Sequence, residues 1–191
     1  MNIKTNRIYY RLLRLLGLSR ISWNLQFKNG LRYKQVTSPD LISLVERLSK
    51  GSILEFGCGE GHLPAALQPQ YFHRYVGLDI SDIAIAKARE RTARIGLLNC
   101  RFEQADMSKW QGASEPASLI VLEECLYYLS AVQAEIFLKR CFDCLTPDGS
   151  ILVVIHDNRK HSKTIEVCKE VCKVTEEKLN GSRLYLVCKK K

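Results

Sequence analysis

Three glycines at alternating positions, Gly57, Gly59 and Gly61, follow a short apolar run that carries one acid, Glu55. A strand, a glycine-rich turn and a helix in that order let the backbone approach a ligand closely. The spacing is not the dinucleotide pattern G-x-G-x-x-G, because position 62 is His, and no Gly-Lys-Ser/Thr of a phosphate-binding loop follows. Glu55 repels a phosphate but attracts an ammonium or a sulfonium. Asp79 ends the next apolar run, where its carboxylate is placed to take two ribose hydroxyls. The plainer alternative is a tight glycine turn with acids facing solvent.

The elements that must hold these residues are legible from caps and apolar spacing. Ser38 can cap a helix whose first turn takes Pro39 and which runs to about Lys50, with Leu41, Leu44, Val45 and Leu48 on its apolar face and Gly51 closing it. Strands are predicted at 52–56, 75–78, 100–104, 119–122 and 150–155. Helices are predicted from about Leu63, from Ser81 or Asp82 to about Gly96, and from Ala131 to Leu145, with a turn at Thr146-Pro147-Asp148-Gly149 before the fifth strand. A short helix near 161–169 precedes two strands, 171–178 and 183–189, joined at Asn180-Gly181 as a hairpin. Continuous rather than alternating apolar strands, interleaved with helices, imply an α/β fold. We expect a Rossmann-like seven-stranded, mostly parallel sheet with a C-terminal antiparallel hairpin and helices on both faces.

The chain has 191 residues, 46% of them apolar and 26% charged, which excludes disordered, collagenous and low-complexity classes. Its longest strictly apolar run, Ile151 to Ile155, is far short of the roughly 20 residues of a membrane span. The net charge of +9 is uneven: residues 1–39 hold eight Lys/Arg and no acid, residues 40–158 carry a net −5, and residues 159–191 a net +6. Arg7, Arg11 and Arg14 mark one stripe of an amphipathic helix whose apolar residues are Ile8, Tyr9, Leu12, Leu13, Leu15 and Leu16. Packing on its own domain is the first reading of that helix, a membrane surface the second, and a targeting segment the third. The eight cysteines fall mostly inside core patterns, and none has the companions of a zinc site, so no metal is expected. Reduced core thiols suit a cytoplasmic protein.

From these residues the chain resembles the class I S-adenosylmethionine-dependent methyltransferases. Ile53-Leu-Glu-Phe-Gly-Cys-Gly-Glu-Gly61 looks like their first motif, and Tyr75-Val-Gly-Leu-Asp79-Ile-Ser like the second-strand motif. Phe102-Glu-Gln-Ala-Asp106-Met, Leu119 to Leu129 and Leu145 to Val154 fit the later motifs in order and spacing. The resemblance divides the chain into an N-terminal helical cap, 1–37, and a methyltransferase domain, 38–191. One departure is visible: the family often has an acid just before the fourth strand, where Ser118 stands.

The resemblance implies roles for named residues. The Gly57-Cys58-Gly59 turn and Gly61 would hold the methionine portion of S-adenosylmethionine, Glu55 its ammonium and Asp79 its ribose hydroxyls. Ile80 would pack on the adenine, and Asp106 with Met107 would bind and cover its edge. Glu123 and Glu124 follow the fourth strand, on the side where acceptor and methyl group meet. His156, Glu124 and Asp157 are candidate bases, and Tyr128 joins His156 and Glu124 in the expected catalytic set. Trp23, Tyr33 and Tyr127 are expected at the acceptor pocket, with Phe27 as a further closing residue.

The run Leu126-Tyr127-Tyr128-Leu129 looks most like methyltransferases acting on an O or N atom of small molecules. RNA is the alternative acceptor, and a non-catalytic cofactor-binding protein is the other. No Asn/Asp-Pro-Pro-Tyr motif for a flipped base is present, and the acidic body suits a phosphate backbone poorly. The expected state is a monomer or weak homodimer.

Overall fold

The computed structural model describes residues 3–30 and 37–191, so Tyr33 lies outside the described residues. In chain order the elements are α1 (Ile3–Leu15), α2 (Ser19–Lys28), α3 (Pro39–Leu48), β1 (Gly51–Phe56), α4 (His62–Ala66), β2 (Phe72–Asp79), α5 (Asp82–Arg94), β3 (Cys100–Gln104), β4 (Ala117–Glu123), α6 (Ala131–Asp143), β5 (Leu145–Ile155), α7 (Ser162–Val171), β6 (Lys173–Asn180) and β7 (Arg183–Lys189). The strands form one sheet in the order β3-β2-β1-β4-β5-β7-β6. β1 to β5 run parallel, and β7 is antiparallel to both β5 and β6.

Two-residue periodicity sorts the core onto two faces. From β4 and β5, Ile120, Leu122, Ile151 and Val153 pack with Phe137, Leu138 and Cys141 of α6 and Cys168 of α7. Their neighbours Leu119, Val121, Leu152 and Val154 pack with Leu41 and Val45 of α3, Leu63 of α4 and Ile85 and Ala88 of α5. Both faces are covered, so the central strands are apolar throughout rather than alternating. Side-chain caps set three helix starts: Ser38 accepts from Leu41, Ser81 from Ala84, and Ser130 with Gln133 closes a capping box.

Several boundaries differ from the sequence reading. α3 ends at Leu48, and Gly51 opens β1 instead of closing the helix. Gly51 has φ +106, a conformation that favours glycine, and a Cβ there would lie 2.3 Å from the exposed His73 ring. Thr146 to Gly149 is an irregularity within β5: Ala117 pairs with Leu145 but Leu119 with Ser150, so the extra residues bulge out. The hairpin loop is Gly181-Ser182, because Asn180 still pairs with Arg183; Gly181 supplies φ +60 at the first loop position.

The N-terminal segment also departs from its first reading. α2 is tied to α5: Arg20 Nε and Asn24 Nδ2 reach Asp82 Oδ1 at 2.9 and 2.8 Å, and Lys87 Nζ donates to the Phe27 carbonyl at 2.8 Å. α1 meets α2 through Tyr10, which is buried and whose carbonyl accepts from Ser22 Oγ. Its apolar residues Ile8, Leu12, Leu15 and Leu16 stay exposed instead of packing on the domain.

Ser118 lies inside β4, buried, and clamps β1 to it. Its Oγ accepts from the Lys50 and Ser52 amides, both at 3.1 Å, and donates to the Ser52 carbonyl at 2.8 Å. Removing the hydroxyl strands buried donors, which costs about 1–3 kcal/mol. Ser118→Ala is therefore expected to lower unfolding free energy in urea by that amount.

Candidate functional site

β1, β2 and β4 end at the same edge of the sheet, and their turns converge there. The Gly57 and Cys58 amides donate to the Leu78 carbonyl at 2.7 and 3.1 Å. Asp79 accepts from the Gly59 amide at 3.0 Å and from Ser81 at 2.8 Å, so its carboxylate is oriented by both turns. Gly57 has φ +74, and a Cβ there would sit 2.9 Å from Cys125 Cβ; Gly61 has φ +70 and faces Ala88 Cβ at 3.1 Å. Side chains at either place would push the turn away from β4 or α5. The helix after the turn, α4, begins at His62, within a residue of the expected start, and spans five residues.

The acids of this edge are not solvent-facing. Glu60 is buried but compensated, with Lys87 Nζ at 2.8 Å and Arg91 donating to its carbonyl at 2.9 Å. Glu55 is 2% exposed and accepts from the Tyr75 hydroxyl. Burial, then the charges of Glu123 and Asp79, push its carboxyl up to about 8 against the bond from Tyr75. Glu123 is pushed up to about 7 by burial, partly offset by Arg183. A positive charge brought beside these two neighbouring carboxyls would relieve both. The Cys58 thiol is driven well up by burial, Asp79 and Glu55, which removes it as a nucleophile.

Beyond β4 the chain turns on Glu124, which holds φ +56. That left-handed conformation costs a non-glycine residue free energy and aims the side chain. Its Oε2 accepts from the Tyr127 hydroxyl at 2.9 Å, while Oε1 lies 3.7 Å from Arg183 Nε. Both Glu124 Oε1 and Arg183 Nε are buried without a hydrogen-bond partner among the described residues. His161 stacks on Tyr127 with centroids 3.9 Å apart, and burial followed by Lys160 lowers its pKa, favouring the neutral ring. Tyr128 is exposed and meets Trp23 edge-on at 5.3 Å, with the Arg14 guanidinium 5.6 Å from the Trp23 ring.

The remaining expected residues sit as follows. Ile80 is half-buried and its carbonyl accepts from Gln104 at 3.3 Å. Asp106 caps its own turn through Ser108 at 2.9 Å, and Met107 packs against the core beneath α6. His156 is exposed just after β5, 3.5 Å from Ser182 Oγ, and its charge acts on His161, which stacks on Tyr127. Arg183, His161 and Tyr75 were missed in the sequence. Tyr75 had a signal, since it lies on the Glu55 face one register step back across β1 and β2. Arg183 and His161 had none, because only the hairpin and α7 bring them here.

A parallel α/β sheet with a glycine turn and acids at its carboxyl edge is the form of a nucleoside-cofactor domain. The family model described as "Methyltransferase domain" matches residues 53–149, and the chain belongs to that family. It is 29% identical over 158 residues to a trans-aconitate 2-methyltransferase of Delftia acidovorans, covering 79% of this chain and 55% of that protein. It is 29% identical over 154 residues to a ribosomal RNA small subunit methyltransferase C of Photobacterium profundum, covering 77% and 41%. The chain spans about half the length of the curated relatives it matches. The N-methyltransferase NodS from Bradyrhizobium japonicum, solved with S-adenosyl-l-homocysteine, superposes with TM-score 0.69 at 19% identity, covering 87% of this chain and 97% of that one, a likeness in fold.

The raised Glu55 carboxyl has a consequence for stability. Between its ordinary value of 4.5 and about 8, folding takes up a proton, so the fold loses stability as pH rises through that window. Glu55→Gln, which keeps an acceptor for Tyr75, removes that loss. The variant is expected to gain stability relative to the parent as pH climbs from 5 to above 8, read from urea melts across the interval of the raised value.

Proposed function

We propose that the protein transfers a methyl group from S-adenosylmethionine to an oxygen or nitrogen of a small-molecule acceptor. The observation that carries this reading is the buried Glu55 with the half-buried Glu123, pushed up to about 8 and about 7, beside a glycine turn and an oriented Asp79. A cationic ligand relieves that pair, whereas a phosphate worsens it. When bound, S-adenosylmethionine supplies a methyl group activated by its sulfonium. Gly57, Cys58, Gly59 and Gly61 would line its methionine portion, with Glu55 and Glu123 facing its ammonium. Asp79, oriented by the Gly59 and Ser81 amides, would accept from the ribose hydroxyls. Ile80, Asp106 and Met107 would border the adenine.

On the acceptor side we assign Glu124 the proton. Its Oε2 is held by Tyr127, leaving Oε1 to take a proton from an acceptor hydroxyl or amine as the new bond forms. Arg183 Nε, 3.7 Å from Oε1, would hold the Glu124 carboxylate in position beside the acceptor. Tyr127, Tyr128 and Trp23 would form the wall for the acceptor body, with Tyr128 at its rim. His156, exposed at the end of β5, would serve as a secondary proton relay at most. An RNA acceptor is the second reading, favoured by the basic ends, but the net −5 of residues 40–158 disfavours a phosphate backbone there. Cysteines that lie mostly inside the core suit a reducing, cytoplasmic setting, and we expect a monomer or weak homodimer.

Calorimetry with S-adenosylmethionine, followed by a methyl-transfer screen of small amines, hydroxy acids, sugars and stripped tRNA, tests this reading. Micromolar binding and transfer to a small molecule are expected; no cofactor binding overturns it. Affinity should rise with pH toward 8 as Glu55 ionises, and Asp79→Ala should weaken binding. With the acceptor identified, Glu124→Gln is expected to cut kcat by about a hundredfold or more while leaving cofactor affinity near the parent's.

A further inference from the structure

α1 presents to solvent the side that an amphipathic helix ordinarily buries. Ile8 is 64% exposed, Leu12 53%, and Leu15 and Leu16 73% each. At about 100° per residue, positions 8, 12 and 15 form one narrow stripe and position 16 widens it. Leu18 and Ile21, also exposed, carry the patch across the turn onto the start of α2. The helix is already fixed by its opposite side: Tyr10 is 4% exposed, and Arg14 is turned toward the Trp23 and Tyr128 rings at 5.6 and 5.8 Å. Docking on its own domain therefore leaves the apolar stripe uncovered.

Charge decides what covers it. Residues 1–39 contain eight Lys/Arg and no acid, and by helical spacing the exposed Arg11 borders the stripe. A second copy meeting this face by two-fold symmetry would set two acid-free basic segments against each other. An anionic bilayer satisfies both features, because the acyl boundary takes the apolar stripe and the headgroups take the bases. The helix cannot cross: its 13 residues span about 20 Å, short of a hydrocarbon core of about 30 Å. Among the described residues no helix is long and apolar enough to span a membrane.

We propose that α1 is an interfacial anchor that lies in the surface of an anionic lipid bilayer, with Ile8, Leu12, Leu15 and Leu16 below the headgroups and Arg11 among them. Docking leaves the buried side of α1 in place, so α2 keeps its contacts with α5 and Trp23 its contact with Tyr128. The proposal stands independently of the acceptor's identity.

The full chain is to be floated with phosphatidylcholine vesicles and with vesicles of phosphatidylcholine and phosphatidylserine. Flotation is expected with the anionic vesicles and at least about tenfold less with the neutral ones. Leu12→Ser with Leu15→Ser should reduce binding by about tenfold or more, and Arg11→Glu by about fivefold or more. These side chains are exposed, so unchanged circular dichroism and thermal midpoints will confirm that each variant is folded. Failure to float with anionic vesicles, or equal flotation of parent and variants, overturns the proposal. So does a dimer in analytical ultracentrifugation that the double leucine variant splits, since the stripe would then be a contact between two copies.

Discussion

The site depends on how the turn after β1 is tied to the end of β2. Three consecutive amides, those of Gly57, Cys58 and Gly59, are received by the Leu78 carbonyl and the Asp79 carboxylate. The tie fixes a backbone whose φ at Gly57 is +74 and which a single Cβ would press against Cys125. The same carboxylate takes the Ser81 amide, so the start of α5 is set by the group that orients the turn. Because Ser81 also caps α5 and donates to Asn24 of α2, the N-terminal segment is registered to the same point. Loosening this tie would free the turn, while α5 would keep its Ser81 cap and α2 its bonds to Asp82 and Lys87.

Around that tie the protein separates its acids by what compensates them. Glu60 is buried with Lys87 and Arg91 against it and serves to pin the turn to α5. Glu55 is buried with only the Tyr75 hydroxyl bonded to it, Glu123 is half-buried with Arg183 as a partial offset, and both carboxyls are held above the usual range by burial. An uncompensated buried acid costs stability in the ligand-free fold, a cost that marks functional sites more often than structural ones. Glu124 is a third kind, bonded through one oxygen to Tyr127 and facing Arg183 with the other at 3.7 Å. A loose donor and acceptor side by side is an arrangement that a third polar group completes.

The N-terminal segment joins two requirements in a short stretch of chain. α2 turns Trp23 toward the aromatic rim and its polar residues toward α5. α1, one tight turn earlier, uses Tyr10 and Arg14 to hold α2 and leaves its leucines outside. A helix that served only as a lid would bury its most apolar side first, since burial is the main favourable term in packing. The inverted arrangement is therefore a constraint on function rather than on folding.

Much of this was written into the sequence by local physics. Continuous apolar runs and helical apolar spacing, with serine caps at 38 and 81, placed most strands and helices to within a few residues. The Ser130 cap was not read, and β5 begins five residues earlier than expected. The alternating glycines with Glu55 and Asp79 marked the cofactor edge, because glycine spacing and strand-end acids are local facts. Boundaries failed where pairing overrode local preference, as in the Thr146–Gly149 bulge, which exists only because β4 and β5 must stay in register. Arg183, His161 and Tyr75 were decided by tertiary structure: residues distant in sequence meet Glu124, Tyr127 and Glu55 only once β7, α7 and β2 are in place. The outward turn of α1 is of the same kind. An amphipathic pattern determines that a helix has an apolar side, but only the packing of Tyr10 and Arg14 on α2 decides which way that side faces.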